Sequence, residues 1–387
     1  MLLTGTGRLA PIGLSPWALR VAEGRIAWIG APSEADDADR IDLGGALVTP
    51  GLVDAHTHPV FAGDRADEAA ARLEGAPYTD GGILRTMRAT RDADDGVLEA
   101  LVERRLLAAL AAGTTTVECK SGYGLSLAEE LRHLRIIRRV GDRLPIRVVA
   151  TLLGAHAVPP EAASPDAYAG LVTEEMIPAA AAEGLADFVD VFADAGFFDL
   201  RAVERIAGAA AAAGLGLRLH ADQLELTGAA ELGVRLGAAS VDHLEQLDGG
   251  GVAALAGSVT VATLLPAPAI VLRDHLPPAR GLLDAGATVA LASDANAGTY
   301  GGFGTMPLIV GLGATLLGMS VGEALTAATA GGGAALRVEG LGRLEVGAPA
   351  DLVAWDADHE GAFALRLGAV HPLRLWIAGQ ELRVASV

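Results

Sequence analysis

Pro50-Gly51-Leu52-Val53-Asp54-Ala55-His56-Thr57-His58 is a short apolar segment that follows a Pro-Gly break and ends in polar residues. His56 and His58 are two apart on an extended backbone, so both imidazoles project from one face. The same design, an apolar strand closing on a polar residue, recurs along the chain. Counted outward from Leu52–His56, further strands are expected at Thr114–Cys119, Ile146–Leu153, Phe188–Ala193, Leu215–His220, Ala239–His243, Ser258–Leu264 and Ala287–Ser293. Ala/Leu-rich helical runs separate most of them, most clearly Leu98–Ala112, Leu125–Val140, Arg201–Ala213 and Ala229–Leu236. Eight alternating units of this kind predict an α/β fold, a (β/α)8 TIM-type barrel over residues 51–344. Short strands with turns at both termini, such as Arg25–Gly30 and Ala350–Trp355, predict one small composite β-sandwich domain from residues 1–50 and 345–387.

The remaining composition narrows the function. The chain has 387 residues, 51% of them hydrophobic, which argues against disorder. A net charge of −19 argues against a nucleic acid or an anionic membrane as partner, since both require Lys/Arg patches. One cysteine, Cys119, allows no intrachain disulfide, and its place within a strand without a base partner makes it a poor nucleophile. No signal sequence or long apolar span is legible, so a cytoplasmic setting is expected. The basic residues are almost all arginine. Lys120 is the single lysine.

In a barrel of this type the strand C-termini form the active face. Five strands deliver His or Asp there: Asp54-Ala55-His56-Thr57-His58, Gly154-Ala155-His156, His220-Ala221-Asp222-Gln223, Asp242-His243 and Ser293-Asp294-Ala295-Asn296. His56, His58 and His220 with Asp294 would give three nitrogens and a carboxylate, a workable catalytic metal site with room for water. A lone His-x-His would say little. Coincidence at five strand ends carries the reading. His133, His275, His359 and His371 fall elsewhere and are read as surface or structural residues.

These residues also resemble a known family. The Pro50–His58 run is similar to the start of the amidohydrolase superfamily barrel, and a finer match is to the imidazolonepropionases. The motifs are Phe61-Ala62-Gly63-Asp64-Arg65, Glu118-Cys119-Lys120-Ser121-Gly122-Tyr123-Gly124-Leu125, Gly154-Ala155-His156-Ala157, His220-Ala221-Asp222-Gln223, Asp242-His243-Leu244 and Asp294-Ala295-Asn296-Ala297-Gly298-Thr299. The resemblance implies one zinc or iron ion (Fe2+ or Fe3+) per chain on His56, His58, His220 and Asp294. It implies substrate contacts from Arg65, Tyr123, His156, Gln223, Asn296, Gly298 and Thr299, and a catalytic His243. The implied reaction is hydrolysis of 4-imidazolone-5-propanoate to N-formimidoyl-L-glutamate, by a homodimer.

Two departures qualify the match. Residues 75–82 form a shorter loop than is usual in that family. Gln223 stands where wider relatives such as cytosine deaminase carry a glutamate, and an amide cannot shuttle a proton. Gln223 is therefore kept in the catalytic set as a hydrogen-bonding group, with Asp294 or His243 left to carry the proton. Arg65 is read as a fork for a substrate carboxylate. Binuclear superfamily members carry a carboxylated lysine at the end of strand four. None stands in Phe188–Asp194, which implies a mononuclear site. A purine or pyrimidine deaminase and a catalytically silent binding protein stay open as alternatives.

Overall fold

Eight strands run parallel in chain order around one sheet in the computed structural model. It describes residues 1–35, 40–75 and 81–382. The expected short loop at 75–82 therefore lies mostly outside the described residues, as do positions 383–387 of the expected β domain.

The five N-terminal strands are β1 (Leu2–Gly5), β2 (Trp17–Ala22), β3 (Arg25–Gly30), β4 (Arg40–Asp42) and β5 (Leu47–Pro50). The barrel follows as β6 (Leu52–Asp54), β7 (Thr114–Lys120), β8 (Arg147–Ala155), β9 (Phe188–Ala193), β10 (Gly216–Ala221), β11 (Ser240–His243), β12 (Val261–Leu264) and β13 (Val289–Leu291). Strands β14 (Leu352–Trp355), β15 (Pro372–Ile377) and β16 (Gln380–Leu382) end the described chain. Each barrel strand pairs in parallel with the next. Past the strand ends the circle closes through a Thr57–Ala295 bridge, with His58 N–H donating to the Ala295 carbonyl at 2.9 Å and Asp294 N–H to the His56 carbonyl at 3.0 Å. The closing seam is thus made by the residues of the first and last polar strand ends.

Parallel strands are covered on both faces, and this is why they read as near-continuous apolar runs. Helices α1 (Ala66–Leu73), α2 (Gly81–Arg91), α3 (Asp95–Ala111) and α4 (Leu127–Gly141) lie in the first two crossovers. The periodicity placed the start of α4 at Leu125. The helix begins two residues later because Leu125 takes a positive φ of 51° and Ser126 acts as the N-cap, accepting from Glu129 N–H.

The outer strands form two four-stranded sheets, in the orders β3-β2-β1-β4 and β16-β15-β14-β5. They share a buried cluster that includes Leu3, Trp17, Leu19, Ile26, Val48, Leu352 and Trp376. Among the described residues no helix is long and apolar enough to cross a membrane.

His133 of α4 is buried with neither ring nitrogen hydrogen-bonded. Burial, reinforced by Arg132 and Arg91, lowers its pKa from 6.5 to about 3. The folded protein therefore refuses a proton that the unfolded chain takes up below 6.5, so its stability falls as pH drops through that window toward 3. Urea unfolding of metal-free protein at pH 7 and pH 5 tests this. His133→Leu should lose about 2 kcal/mol less than wild type over that interval. Equal losses would show that His133 does not titrate in this way.

Candidate metal-dependent active site

Three imidazole nitrogens and one carboxylate oxygen converge where β6, β10 and β13 end. His56 Nε2 is the hub, 3.3 Å from His58 Nε2, 3.1 Å from His220 Nε2 and 3.6 Å from Asp294 Oδ1. Asp294 Oδ1 lies 3.3 Å from His58 Nε2. All four side chains are buried. Backbone strain collects at this rim: Asp222, His243 and Asp294 all have positive φ, at 49°, 83° and 48°.

The hydrogen-bond partners fix the ring tautomers. His56 donates its Nδ1–H to Asp242 Oδ2 at 2.7 Å, and His220 donates its Nδ1–H to Asp190 Oδ1 at 3.1 Å. Both rings therefore turn Nε2 lone pairs toward the centre. Two such lone pairs at 3.1 Å, buried and without a proton between them, repel unless a cation lies between. Donors about 2.1 Å from a common metal stand roughly 3.0 to 3.6 Å apart at angles of about 90 to 120°, which is the observed range. The site fits a metal ion. Burial, with the Lys120 charge next, holds His56 well below the usual imidazole pKa, and burial likewise lowers His220. Both rings are thus neutral, as ligands must be.

Above the donors lies a small, tightly lined cavity, and ten of its twelve lining residues are sequence-predicted: His58, Arg65, Tyr123, His156, His220, Gln223, His243, Asp294, Asn296 and Thr299. The other two, Ile83 and Phe192, carry no polar signal and were not predicted. His56 lies beneath the cavity, and Gly298 lies against Arg65, where a Cβ would overlap the guanidinium. A wider groove beside Trp355 and Leu365 lies on the β sheets, away from these donors.

Each wall residue is held from behind. His156 donates Nδ1–H to the Gly122 carbonyl at 2.8 Å, and burial keeps it neutral. Glu130 accepts from Gly122, Gly124 and Leu125 N–H, which shapes the loop carrying Tyr123. Asp194 accepts from Gln223 and Leu224 N–H, both at 2.8 Å, and so anchors Gln223. The Asn296 amide is engaged within its own loop, donating to the Asp294 carbonyl and to Thr299 Oγ1 and accepting from Gly298 and Thr299 N–H. Arg65, read as a carboxylate fork, already meets a carboxylate of the protein: Nε and Nη2 donate to Glu68 at 2.7 and 2.5 Å.

His243 Nε2 faces Asp294 Oδ2 at 4.0 Å, while its Nδ1 stands 3.5 Å from Glu245 Oε1, an ion-pair distance rather than a hydrogen bond. Burial opposes charge on His243, but the Glu245 carboxylate outweighs it and raises the pKa.

A parallel eight-stranded barrel whose first strand runs into His-x-His, and whose strand ends gather histidines and an aspartate that could hold a metal, fits the amidohydrolases. The profile of the Amidohydrolase family matches residues 47–382, and the chain belongs to that family. Within it the chain belongs with the imidazolonepropionases. It is 47% identical to the imidazolonepropionase of Rhizorhabdus wittichii over 92% of each chain. It is 49% identical to that of Ectopseudomonas mendocina, covering 90% of this chain and 89% of the relative. Among solved structures, 5-methylcytosine deaminase from Klebsiella pneumoniae liganded with phosphonocytosine has a TM-score of 0.79 at 18% identity, covering 100% of this chain and 99% of that one. Atrazine chlorohydrolase from Arthrobacter aurescens complexed with zinc has a TM-score of 0.71 at 19% identity, covering 98% and 94%. Those two share the fold.

Proposed function

We infer that the protein hydrolyses 4-imidazolone-5-propanoate to N-formimidoyl-L-glutamate. Water adds to an sp² ring carbon and a ring C–N bond breaks. The observation that carries this is the convergence of His56, His58, His220 and Asp294 beneath a polar cavity, in a chain of imidazolonepropionase ancestry.

His56, His58 and His220 through Nε2, and Asp294 through Oδ1, would hold one metal ion, and this donor set suits zinc and iron alike. When bound, that ion supplies a water of lowered pKa and a Lewis acid for the substrate oxygen. Asp294 turns its second oxygen, Oδ2, toward His243, where it accepts the proton of the attacking water. His243, whose pKa the neighbouring Glu245 raises, donates a hydrogen bond from Nε2 to the oxyanion as it develops. Gln223, which moves no proton, orients the ring by hydrogen bonding. His156, with Nδ1–H committed to Gly122, offers Nε2 as an acceptor. Tyr123 packs against His156 at a ring distance of 5.3 Å and closes that wall. Arg65 meets the propionate.

Two measurements test the reading. Enzymatically generated imidazolone propionate should give formimidoylglutamate, and release of ammonia from cytosine instead would overturn the assignment. Chelator-treated protein should lose turnover and regain it at about one equivalent of metal per chain. A requirement for two equivalents would overturn the mononuclear site.

A further inference from the structure

The barrel interior beneath the proposed metal site is charged where such barrels are usually filled by apolar side chains. Glu118 and Lys120 of β7, Asp190 of β9, Arg218 of β10 and Asp242 of β11 all have zero exposure. They form two columns. In one, Arg218 donates to Asp242 Oδ2 at 2.9 Å, and that same oxygen accepts from His56. In the other, Lys120 donates to Asp190 Oδ2 at 2.7 Å, and Asp190 Oδ1 accepts from His220. Glu118 ties the columns together, taking Lys120 Nζ at 2.9 Å and lying 3.9 Å from Arg218 Nε. His58 has no such column, since its Nδ1 is without a hydrogen-bond partner.

We propose that Lys120 is a positioning residue for metal binding. Through Asp190 it fixes the His220 ring with Nδ1–H downward and Nε2 toward the ion. The proposal rests on the metal reading above and adds to it the group that holds one ligand in place. Asp190 spends one oxygen on each partner, so its carboxylate plane is set by two bonds. The compact ammonium reaches Glu118 and Asp190 at once in a space that Arg218 already crowds. A guanidinium fork is bulkier and planar. This accounts for a lysine in a chain whose other strong bases are all arginine.

The test compares wild type, Lys120→Met, Asp190→Asn and the double variant. The readouts are zinc dissociation constants from chelator competition and the visible spectrum of the cobalt-substituted protein. Loss of an outer partner of a ligand typically weakens metal binding about 10- to 100-fold. Lys120→Met should fall in that range and shift the cobalt bands. The double variant should bind no more weakly than Asp190→Asn alone, because Lys120 acts through Asp190. A lysine with a merely structural role would lower the melting temperatures of metal-free and metal-loaded protein together and leave the zinc affinity within about twofold. That result, or additive losses in the double variant, would overturn the proposal. Lys120→Met leaves two buried carboxylates without a cation and can fail to fold. In that event the double variant against Asp190→Asn decides alone: equal affinity supports the proposal and a further tenfold loss overturns it. Wild-type protein that binds no metal would instead defeat the metal reading itself.

Discussion

Asp294→Asn should lower kcat by about 10³-fold while metal content stays near one per chain. The two halves of this expectation come from the two oxygens of one carboxylate. Oδ1 stands among the ligand nitrogens, 3.3 Å from His58 Nε2 and 3.6 Å from His56 Nε2. Oδ2 looks the other way, 4.0 Å from His243 Nε2 and into the cavity. The amide of an asparagine keeps a ligating oxygen at the first position and offers no base at the second. A positioned general base contributes typically 10² to 10⁴ in rate, and that contribution is what the variant removes. The side chain is aimed by its backbone, since Asp294 has φ 48° and its N–H is tied to the His56 carbonyl at 3.0 Å. The amide therefore has little freedom to move. Burial would favour the neutral acid, but its imidazole neighbours, His58 first, lower the Asp294 pKa below its ordinary 3.8, so the base is ionised at neutral pH. Steady-state kinetics with elemental analysis on the same sample checks the prediction. A kcat within tenfold of wild type would move the base elsewhere, to His243. Loss of the metal would show that Oδ1 alone is insufficient.

The sequence announces this site because its polar residues break a pattern. A parallel barrel strand is apolar along its length, so His220 or Asp294 at its end stands out. The layer beneath was harder to see. Arg218 is two residues before His220, and Glu118 two before Lys120, so each pair shares a face, and that period was available to read. The partners were not. Lys120 meets Asp190 across 70 residues and His56 meets Asp242 across 186. Alternation says which face a side chain takes and nothing about which strand's carboxylate it will find. Glu118, two residues away in sequence, is only half of the environment of Lys120, and Asp190 is the other half. The same limit hid Glu130 and Asp194, which shape the Tyr123 and Gln223 loops from outside the motifs. The start of α4 lies two residues past the one its periodicity suggests, because Leu125 adopts positive φ before the Ser126 cap.

Arg65→Ala should lower kcat/KM by about 10² to 10³, chiefly through KM, and Gly298→Ala should approach it without removing any charge. Two charge-assisted hydrogen bonds to a carboxylate in a desolvated cavity are worth about 3 to 5 kcal/mol together, and each 1.4 kcal/mol is tenfold. The guanidinium is not merely present but oriented. Glu68 grips its Nε and Nη2, Arg72 grips Glu68 at 2.6 Å, and Arg72 also donates to the Gly298 carbonyl at 2.5 Å. Gly298 and Gly82 flank the fork so closely that a Cβ at either would overlap it. At Gly298 the need for glycine is therefore one of space, since its φ is not positive. A methyl group there must push the Arg65 plane aside, and a bidentate fork turned out of plane keeps its charge and loses its geometry. If charge alone attracted the substrate, Gly298→Ala would bind nearly as wild type, with only a change in salt dependence. If orientation matters, the alanine variant loses about as much as Arg65→Ala, and the double variant loses little more than either. Additive losses would mean that Gly298 meets the substrate on its own account, as the family resemblance implies, and would separate its role from that of Arg65.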